Sequence, residues 1–180
     1  LQRLGPLAKI GPPLRTEKDR MALWEGMQDE TIDVVASDHA PKAKKIDEPF
    51  FEAAYGSPQA ETMLTVTHDE GVNTGRITLC RLVQLLSENP AKIFGLYPQK
   101  GILQKGSDAD MVLFDPNRVC TIRHKNQHSG ASYTLYEGRE CLGMPVLCMQ
   151  RGTVLIENGE MKKKPGEAKF LSTKITKVTC

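Results

Sequence analysis

The sequence lacks long hydrophobic runs, and it lacks an excess of charge of either sign. None of its apolar stretches reaches the roughly 20 residues that a membrane-spanning helix needs, and no secretory leader is visible, so we expect no membrane partner. The 24 Lys and Arg residues nearly balance the 22 Asp and Glu residues, which leaves a net charge of +2 over 180 residues. The basic residues are scattered along the chain, and this distribution gives no indication of a nucleic-acid partner.

The sequence also lacks any pair of cysteines with the spacing of a metal-binding or redox motif. Its five cysteines are odd in number and lie within apolar stretches, which predicts reduced, mostly buried thiols in a cytoplasmic protein. We therefore expect none of them to bind a metal. They are Cys80, Cys120, Cys141, Cys148 and Cys180.

What the sequence does contain is a change of hydrophobic period near its middle. Apolar residues recur at helical spacing up to about residue 98, and from Lys100 onwards the period is two. We predict three parts from this change: residues 1–98, a β-rich unit of residues 99–161, and a charged tail of residues 162–180. The lysine run at the start of the tail is typical of a solvated segment rather than a binding patch.

A single segment, Ile32 to Ala36, has the β-branched, apolar composition of a buried parallel strand. Asp38 follows at its carboxyl end, the edge of an α/β sheet where ligands bind. A carboxylate there either belongs to a binding site or caps the next turn, and its position alone leaves both open.

The residues before this segment predict an extended stretch and then a helix. Two consecutive prolines after Gly11 favour extended backbone. Thr16 is a candidate N-cap with Asp19 three residues later, and the helix is predicted to end by about Asp29. Extended stretch, helix and strand in this order are typical of the last repeats of an α/β barrel. The long polar loop of residues 40–58 would then lie on the active face of the barrel.

Further elements are predicted from caps and periodicity. Gly71 should close one helix, Thr78 should cap another with five apolar residues on its buried side, and Asn89-Pro90 should begin a third that ends at Gly95. The predicted ranges are 60–70 for the first helix, and 109–114, 119–123, 132–137, 146–150 and 153–157 for strands. The turn dipeptides Arg151-Gly152 and Asn158-Gly159 favour antiparallel pairing of these strands.

Four motifs in this order resemble those of the cyclic amidohydrolases, the family of dihydropyrimidinases, hydantoinases, allantoinases and dihydroorotases. Ser37 to Pro41 resembles the signature after the eighth barrel strand, and Gly11 to Arg15 resembles the Pro-Pro-Leu-Arg motif. Asn89 to Leu96 and Gly106 to Val112 complete the series, so the resemblance covers nearly the whole chain. The resemblance implies the C-terminal portion of a TIM-like (β/α)8 barrel, followed by part of a small β-sandwich domain. Complete family enzymes are longer, and Leu1 in place of Met fits a truncation or a cleavage product.

The resemblance also implies a role for Asp38. In the family this aspartate binds one metal of a usually binuclear zinc site and takes the proton of the attacking water. The remaining ligands, an early His-x-His pair, a carboxylated lysine and two histidines, come from strands that precede this chain. His39 is expected to support the site or to pack, His68 is expected at the surface or at a helix end, and His124 and His128 are expected at the surface. Since catalytic zinc needs about three protein ligands, we expect the chain alone to be inactive.

The resemblance also implies substrate contacts, one of them through a main-chain group at Gly11 and a second at Tyr55 and Gly56. Gly11 stands where hydantoinases often have serine, so its backbone could bind the ring, or it could serve only a tight turn. Tyr55, ahead of Gly56, stands where hydantoinases often have asparagine. Lys42 replaces a histidine that in dihydroorotases binds the substrate carboxylate, which makes that activity less favoured. Lys42 could still meet an anionic ring substituent or remain a solvated loop lysine.

The leading hypothesis is therefore a metal-dependent hydrolase of cyclic amide C–N bonds, of the hydantoin or dihydropyrimidine type, that forms homo-oligomers (dimers or tetramers). Allantoinase-type or dihydroorotase-type hydrolysis is an alternative within the same class. A non-catalytic scaffold protein like the collapsin-response mediator proteins is another, although those proteins lose the aspartate that Asp38 matches. A free-standing binding module is disfavoured, because half a barrel would expose open strand edges and apolar faces to water.

Overall fold

The computed structural model describes residues 3–164, 166 and 168–173. Helices occupy its first part and one sheet occupies its second. The helices are α1 (Glu17–Gln28), α2 (Met63–Thr67), α3 (Leu79–Val83) and α4 (Asn89–Ile93), with π-helical turns at His68–Val72 and Gln84–Glu88 and 3-10 turns at Gly5–Ala8 and His124–Asn126. The strands are β1 (Met111–Thr121), β2 (Glu140–Gln150), β3 (Thr153–Glu157) and β4 (Glu160–Met161). The last residues of the predicted tail lie outside the described residues.

Helix α1 begins as its sequence predicts. The Thr16 side chain accepts a hydrogen bond from the Asp19 backbone N–H, and Asp19 accepts one from the Thr16 backbone N–H, so the capping box is complete. The buried face of α1 carries Trp24 and Met27. These two side chains form a hydrophobic core with Ile77, Leu82 and Leu85.

The predicted strand from Ile32 to Ala36 is wrong as a strand of a sheet within the described residues. Val35 makes one backbone hydrogen bond, from its N–H to the Leu85 carbonyl at 3.2 Å, and no ladder forms along the segment. A parallel strand needs a neighbour on at least one side, and no neighbouring strand in the described part of the chain pairs with it. Ile32 and Val35 instead pack, half-buried, against the hydrophobic core.

Gly71 does not close the helix that contains it. The helix runs from Met63 through the π-helical turn to Val72, so Gly71 lies inside it. A Cβ atom at Gly71 would come within 2.9 Å of the Trp24 ring and 3.0 Å of the Ile77 side chain. The glycine is therefore required by packing between this helix, α1 and the segment before α3.

The last helical stretch begins as predicted but continues further. Thr78 caps it by accepting a hydrogen bond from the Arg81 backbone N–H at 3.0 Å, and Gly95, with φ of +66°, follows its end. Asn89 is not an N-cap, because the chain stays helical from Leu79 to Ile93. The Asn89 side-chain amide donates to the Asp33 carbonyl at 2.9 Å instead. Of the five apolar residues predicted on the buried side, Leu82 and Leu85 are buried and Leu86 packs against the core, whereas Leu79 and Val83 are exposed.

Arg81 joins α3 to the segments that precede it. Its guanidinium is buried and donates to the Met27 carbonyl at 2.7 Å and to the Ile32 carbonyl at 2.8 Å. We expect Arg81→Met to lower the free energy of unfolding by about 2–4 kcal/mol, since two buried carbonyls lose their donors. Arg118→Met is the control, because Arg118 is exposed and its side chain bonds only Asn158 among the described residues. Equal denaturant midpoints for the two variants would contradict this role.

The β-rich part is one antiparallel sheet in the order β1-β2-β3-β4. The two strands predicted at 109–114 and 119–123 form the single strand β1, whose register shifts between Asp115 and Val119. The turn dipeptides are confirmed: Arg151, Gly152, Asn158 and Gly159 all have positive φ, as hairpins with type I′ turns require. The second sheet of a sandwich is not among the described residues.

The predicted strand at 132–137 is wrong. This segment is irregular, although Tyr133 and Thr134 within it are buried. The Thr134 hydroxyl accepts a hydrogen bond from the Tyr136 backbone N–H at 3.4 Å, and such local side-chain bonds compete with a strand ladder. Aromatic and β-branched composition indicated burial here, but it did not indicate a strand.

The helix containing His68 docks on the beginning of β2. Of the two positions expected for His68, the surface is wrong, because the residue is only 2% exposed; it does follow the end of α2 directly. The His68 ring packs against Phe114 with centroids 4.6 Å apart, and Nδ1 donates to the Leu142 carbonyl at 3.1 Å. The Asp69 carboxylate accepts the Leu142 N–H at 3.0 Å and bonds Arg139 at 2.8 Å.

Low pH should weaken the contact between the helix containing His68 and β2. Hydrogen bonds from Arg139 lower the pKa of Glu70; burial raises the pKa of Asp69, but its bonds to Arg139 and Leu142 outweigh burial and the net shift is also downward. Carboxyl groups with lowered pKa in the folded state stabilise it above their ordinary pKa, and this contribution is lost as the pH falls through the folded value. We expect the thermal midpoint to decrease when the pH is lowered below roughly 4, and to decrease less steeply in Arg139→Gln. Identical profiles for the wild type and this variant, measured by calorimetry from pH 3 to 7, would contradict the prediction.

Candidate functional site

Asp38 lies in an irregular segment, residues 37–40, rather than at the tip of a buried strand; this segment is called the Asp38 turn below. Its φ is +44°, its side chain is exposed, and its carboxylate makes no hydrogen bond within the described part of the chain. The expectation of a buried strand end is wrong here, because no strand in the part of the chain that the structure describes lies beside the preceding segment. An exposed carboxylate without a partner stays hydrated and available to a ligand.

The residue after Asp38 attaches this turn to a later loop. The His39 Nδ1 accepts hydrogen bonds from the backbone N–H groups of Gln59 and Ala60, both at 3.1 Å. An Nδ1 atom that accepts in this way leaves the proton on Nε2. The Ala40 N–H also donates to the Ser57 carbonyl at 2.9 Å. His39 and Ala40 thus fix the Asp38 turn to residues 57–60.

Gly56 lies directly against the Asp38 turn. Its φ is +112°, and a Cβ atom there would come within 2.5 Å of the Ala40 Cβ and 2.8 Å of the Ala40 carbonyl oxygen. Only glycine satisfies both the conformation and the space. Its N–H donates to the Lys9 carbonyl at 3.2 Å, and its own carbonyl accepts from the Tyr133 hydroxyl at 3.3 Å.

Gly11 and Tyr55 are neighbours across the same region. The Cβ position of Gly11 is 3.8 Å from the Tyr55 ring, and the Tyr55 side chain is 65% exposed. The Lys9 ammonium lies 4.7 Å from the Tyr55 ring centroid and donates to the Phe51 carbonyl at 2.7 Å. The structure therefore brings together the three residues singled out for substrate contact, and it links them to the Asp38 turn through Gly56.

Three residues of this region carried no distinguishing signal in the sequence: Lys9, Lys44 and Tyr133. Lys44 looks like any lysine of a polar loop, yet it is 5% exposed and donates to the carbonyls of Lys9 at 2.7 Å and Leu7 at 3.2 Å. Burial lowers the pKa of the Lys44 ammonium, and burial raises the pKa of the Tyr133 hydroxyl. Lys42, in contrast, is exposed.

The remaining histidines lie at the surface, but each is bound to a carboxylate. His124 Nδ1 is 3.0 Å from Glu137, and His128 Nδ1 is 2.9 Å from Glu61. Glu61 also accepts the backbone N–H groups of His128 and Ser129. The loop that follows β1 thus attaches to the segment just after Gly56.

Among the described residues, no three His, Cys, Asp or Glu side chains converge as ligands of a metal ion. The exposed, unpartnered Asp38 carboxylate suits a divalent cation, so it fits the role of one ligand. Cys120, Cys141 and Cys148 are free thiols that are at least half-buried, and burial raises the pKa of each. Cys80 is free and exposed, so three of the four described cysteines agree with the prediction of mostly buried thiols; Cys180 lies outside the described residues.

A second feature of the surface lies away from the Asp38 turn. An apolar groove of about 780 Å³ runs between α3, α4 and the sheet. Its walls include Leu79, Val83, Phe94, Leu103, Val112 and Phe114. Several of these side chains are exposed, as expected for a chain that shows open apolar faces. In the described ranges, no helix is both long and apolar enough to cross a membrane.

The sequence motifs and the Asp38 turn are matched by a known family. The model of the amidohydrolase family matches residues 12–155, from the proline after Gly11 through most of β3. The chain belongs to the amidohydrolase family.

Hydantoinases are among the relatives that the chain matches. It is 38% identical over 175 residues to the L-hydantoinase of Paenarthrobacter aurescens, which covers 95% of this chain and 38% of the relative. It is 39% identical over 170 residues to the D-phenylhydantoinase of Escherichia coli K12, covering 92% of this chain and 37% of the relative.

Solved structures agree with these matches. A D-hydantoinase structure superposes with a TM-score of 0.87 at 35% identity, over 92% of this chain and 37% of the other. The L-hydantoinase (dihydropyrimidinase) of Arthrobacter aurescens superposes with a TM-score of 0.82 at 39% identity, over 89% of this chain and 36% of the other. The chain therefore spans somewhat more than a third of the length of these relatives.

Proposed function

We propose that this chain is the C-terminal part of a metal-dependent hydrolase that opens cyclic amide rings of the hydantoin or dihydropyrimidine type. The observation that carries the proposal is the continuous match to hydantoinases over 92–95% of the chain. The polypeptide of family length that contains this chain is called the full-length protein below. By itself the chain is expected to be inactive, since Asp38 is the one metal ligand proposed within it.

The proposed architecture follows the resemblance. Residues 1–98 would complete a TIM-like (β/α)8 barrel, residues 99–161 would form a segment of a small β-sandwich, and residues 162–180 a charged tail. The single four-stranded sheet and the helices before it support this division. The open apolar groove supports the view that further parts of the full-length protein, or a second subunit, cover this face.

Asp38 has two proposed roles. It would bind one ion of a binuclear zinc site, where the metal would supply Lewis acidity to activate water and polarise the ring carbonyl. Its carboxylate would also accept the proton of the attacking water and deliver it to the leaving ring nitrogen. The exposed, unpartnered state of this carboxylate supports both roles.

The proposed substrate contacts are main-chain groups of Gly11 and of the Tyr55–Gly56 peptide. The N–H and C=O of Gly11 make no hydrogen bond within the described residues, and neither does the carbonyl of Tyr55. A cyclic amide offers complementary donors and acceptors along one edge, so main-chain groups of this kind can bind it. The Tyr55 ring, exposed beside Gly11, would contact the ring substituent.

Two further proposals concern context. Homo-oligomers, dimers or tetramers, follow from the resemblance and from the open groove. A cytoplasmic location is supported by the free thiols at Cys80, Cys120, Cys141 and Cys148.

Ring opening of hydantoin, dihydrouracil and allantoin by the zinc-loaded full-length protein tests this function. We expect turnover of at least one ring, and the preferred ring would define the substrate class. This chain alone, assayed beside it, should show none. Absence of turnover on all three rings by metal-loaded protein would favour the non-catalytic scaffold alternative.

A further inference from the structure

We infer that Lys44 and Tyr133 are positioning residues that orient the Tyr55 carbonyl toward an N–H group of the cyclic amide. This inference rests on the proposed function and deepens it. Neither residue carried a functional signal in the sequence, and Tyr133 belongs to the β-rich half, far from Asp38 along the chain.

Gly56 is held on both sides, since the peptide groups before and after it each make one hydrogen bond. Its N–H donates to the Lys9 carbonyl at 3.2 Å, and its carbonyl accepts from the Tyr133 hydroxyl at 3.3 Å. The Tyr55–Gly56 peptide bond is trans, so the Tyr55 carbonyl points opposite to the Gly56 N–H. The Tyr55 carbonyl therefore points away from the Lys9 carbonyl, and in the described structure it accepts no hydrogen bond.

Lys44 fixes the acceptor on which this orientation depends. Its ammonium donates to the same Lys9 carbonyl at 2.7 Å and to the Leu7 carbonyl at 3.2 Å. It also lies 6.0 Å from the centroid of the Tyr133 ring. Lys44 thus bonds the Lys9 carbonyl that holds the Gly56 N–H, and it lies near the ring of Tyr133, whose hydroxyl holds the Gly56 carbonyl.

Burial makes this arrangement specific rather than incidental. Within the described residues, the Lys44 ammonium forms no ion pair with a carboxylate, although only 5% of the residue is exposed. A buried ammonium without such a partner is costly, and a methionine would fill the same space without that cost. What the ammonium adds over methionine is the hydrogen bonding of two carbonyls in the segment that leads into Gly11.

Kinetics of the full-length protein separate positioning from general stability. We expect Lys44→Met to raise KM about tenfold, and Tyr133→Phe about fivefold as one hydrogen bond is lost, with kcat and zinc content nearly unchanged. Lys45→Met and Tyr97→Phe are the matched controls, and both should behave as the wild type. The inference is overturned if KM stays at the wild-type value in Lys44→Met and Tyr133→Phe. It is also overturned if their kcat and zinc content fall while KM rises.

Methylated rings give a readout that a merely structural role would not move. Hydantoins methylated at N1 or at N3 are measured as competitive inhibitors, so neither has to be cleaved. One of the two methylated rings lacks the N–H that would donate to the Tyr55 carbonyl, and for this ring Lys44→Met and the wild type should have equal inhibition constants. For the other ring, the roughly tenfold difference between the two proteins should persist. A difference that persists for both rings would overturn the inference.

Hydrogen exchange distinguishes failure of this inference from failure of the proposed function. Should the wild type open no ring, the proposed function fails, and the exchange rate of the Gly56 amide still tests the network. That rate should rise about tenfold in Lys44→Met and stay unchanged in Lys45→Met. Unchanged exchange in Lys44→Met would overturn the network itself.

Discussion

Asp38→Asn in the full-length protein should reduce ring opening by a factor of about a thousand or more. Asparagine keeps the size of the side chain but can neither accept the proton of water nor donate it to the leaving nitrogen, and it binds a divalent cation less well than a carboxylate does. Because Asp38 is exposed and has no hydrogen-bond partner in the described part of the chain, the substitution should leave the thermal midpoint unchanged. The expected combination is therefore lost turnover with normal stability.

Asp33→Asn is the matched control for this prediction. Asp33 is an exposed carboxylate of the same segment, and only its backbone carbonyl is bonded, by Asn89. We expect this variant to retain turnover within about twofold of the wild type. Zinc content measured beside turnover separates loss of the metal from loss of the proton acceptor. Near-normal turnover in Asp38→Asn would show that Asp38 is not part of the active site.

Gly143→Ala should destabilise the protein by about 3–5 kcal/mol. Gly143 has φ of +100°, and a Cβ atom there would come within 2.6 Å of the His68 ring and 2.9 Å of the Phe114 ring. His68 cannot retreat, because its ring is buried and bonded to the Leu142 carbonyl. The substitution should therefore separate the helix containing His68 from β2.

Gly106→Ala isolates the backbone contribution to this effect. Gly106 has nearly the same φ, +97°, but nothing lies within 4 Å of its Cβ position. Gly106→Ala should lower the free energy of unfolding only by the strain of an alanine with positive φ, about 1–2 kcal/mol. Denaturant unfolding of both variants measures the difference. If the two variants lose equal stability, the contact of Gly143 with His68 has no energetic importance.

Local signals in the sequence predicted local structure well. The caps at Thr16 and Thr78 and the turns at Arg151-Gly152 and Asn158-Gly159 all form, because each depends on residues within four positions. The strand at 32–36 was not realised, since a strand also depends on a neighbour that the described chain does not provide.

Burial of polar residues was the part that the sequence could not predict. His68 is buried because the Leu142 carbonyl of β2, 74 residues later, accepts its hydrogen bond. Lys44 is buried because it donates to the carbonyls of Lys9 and Leu7, 35 and 37 residues earlier. Nothing in the neighbouring residues distinguishes these side chains from exposed ones. The candidate site divides in the same way: Gly11, Tyr55 and Gly56 came from motifs, whereas Lys9, Lys44 and Tyr133 came only from the fold.

The attachment of residues 56–61 to both sides of the chain has a consequence for chimeric enzymes. His39 and Ala40 bind this segment from upstream, and Tyr133 and His128 bind it from downstream. A gene-shuffling crossover anywhere between residues 62 and 127 therefore joins the segment to a partner loop from a different parent. Libraries built from hydantoinase relatives should exchange residues 38–61 and 124–134 as one block, even though more than sixty residues separate their ends.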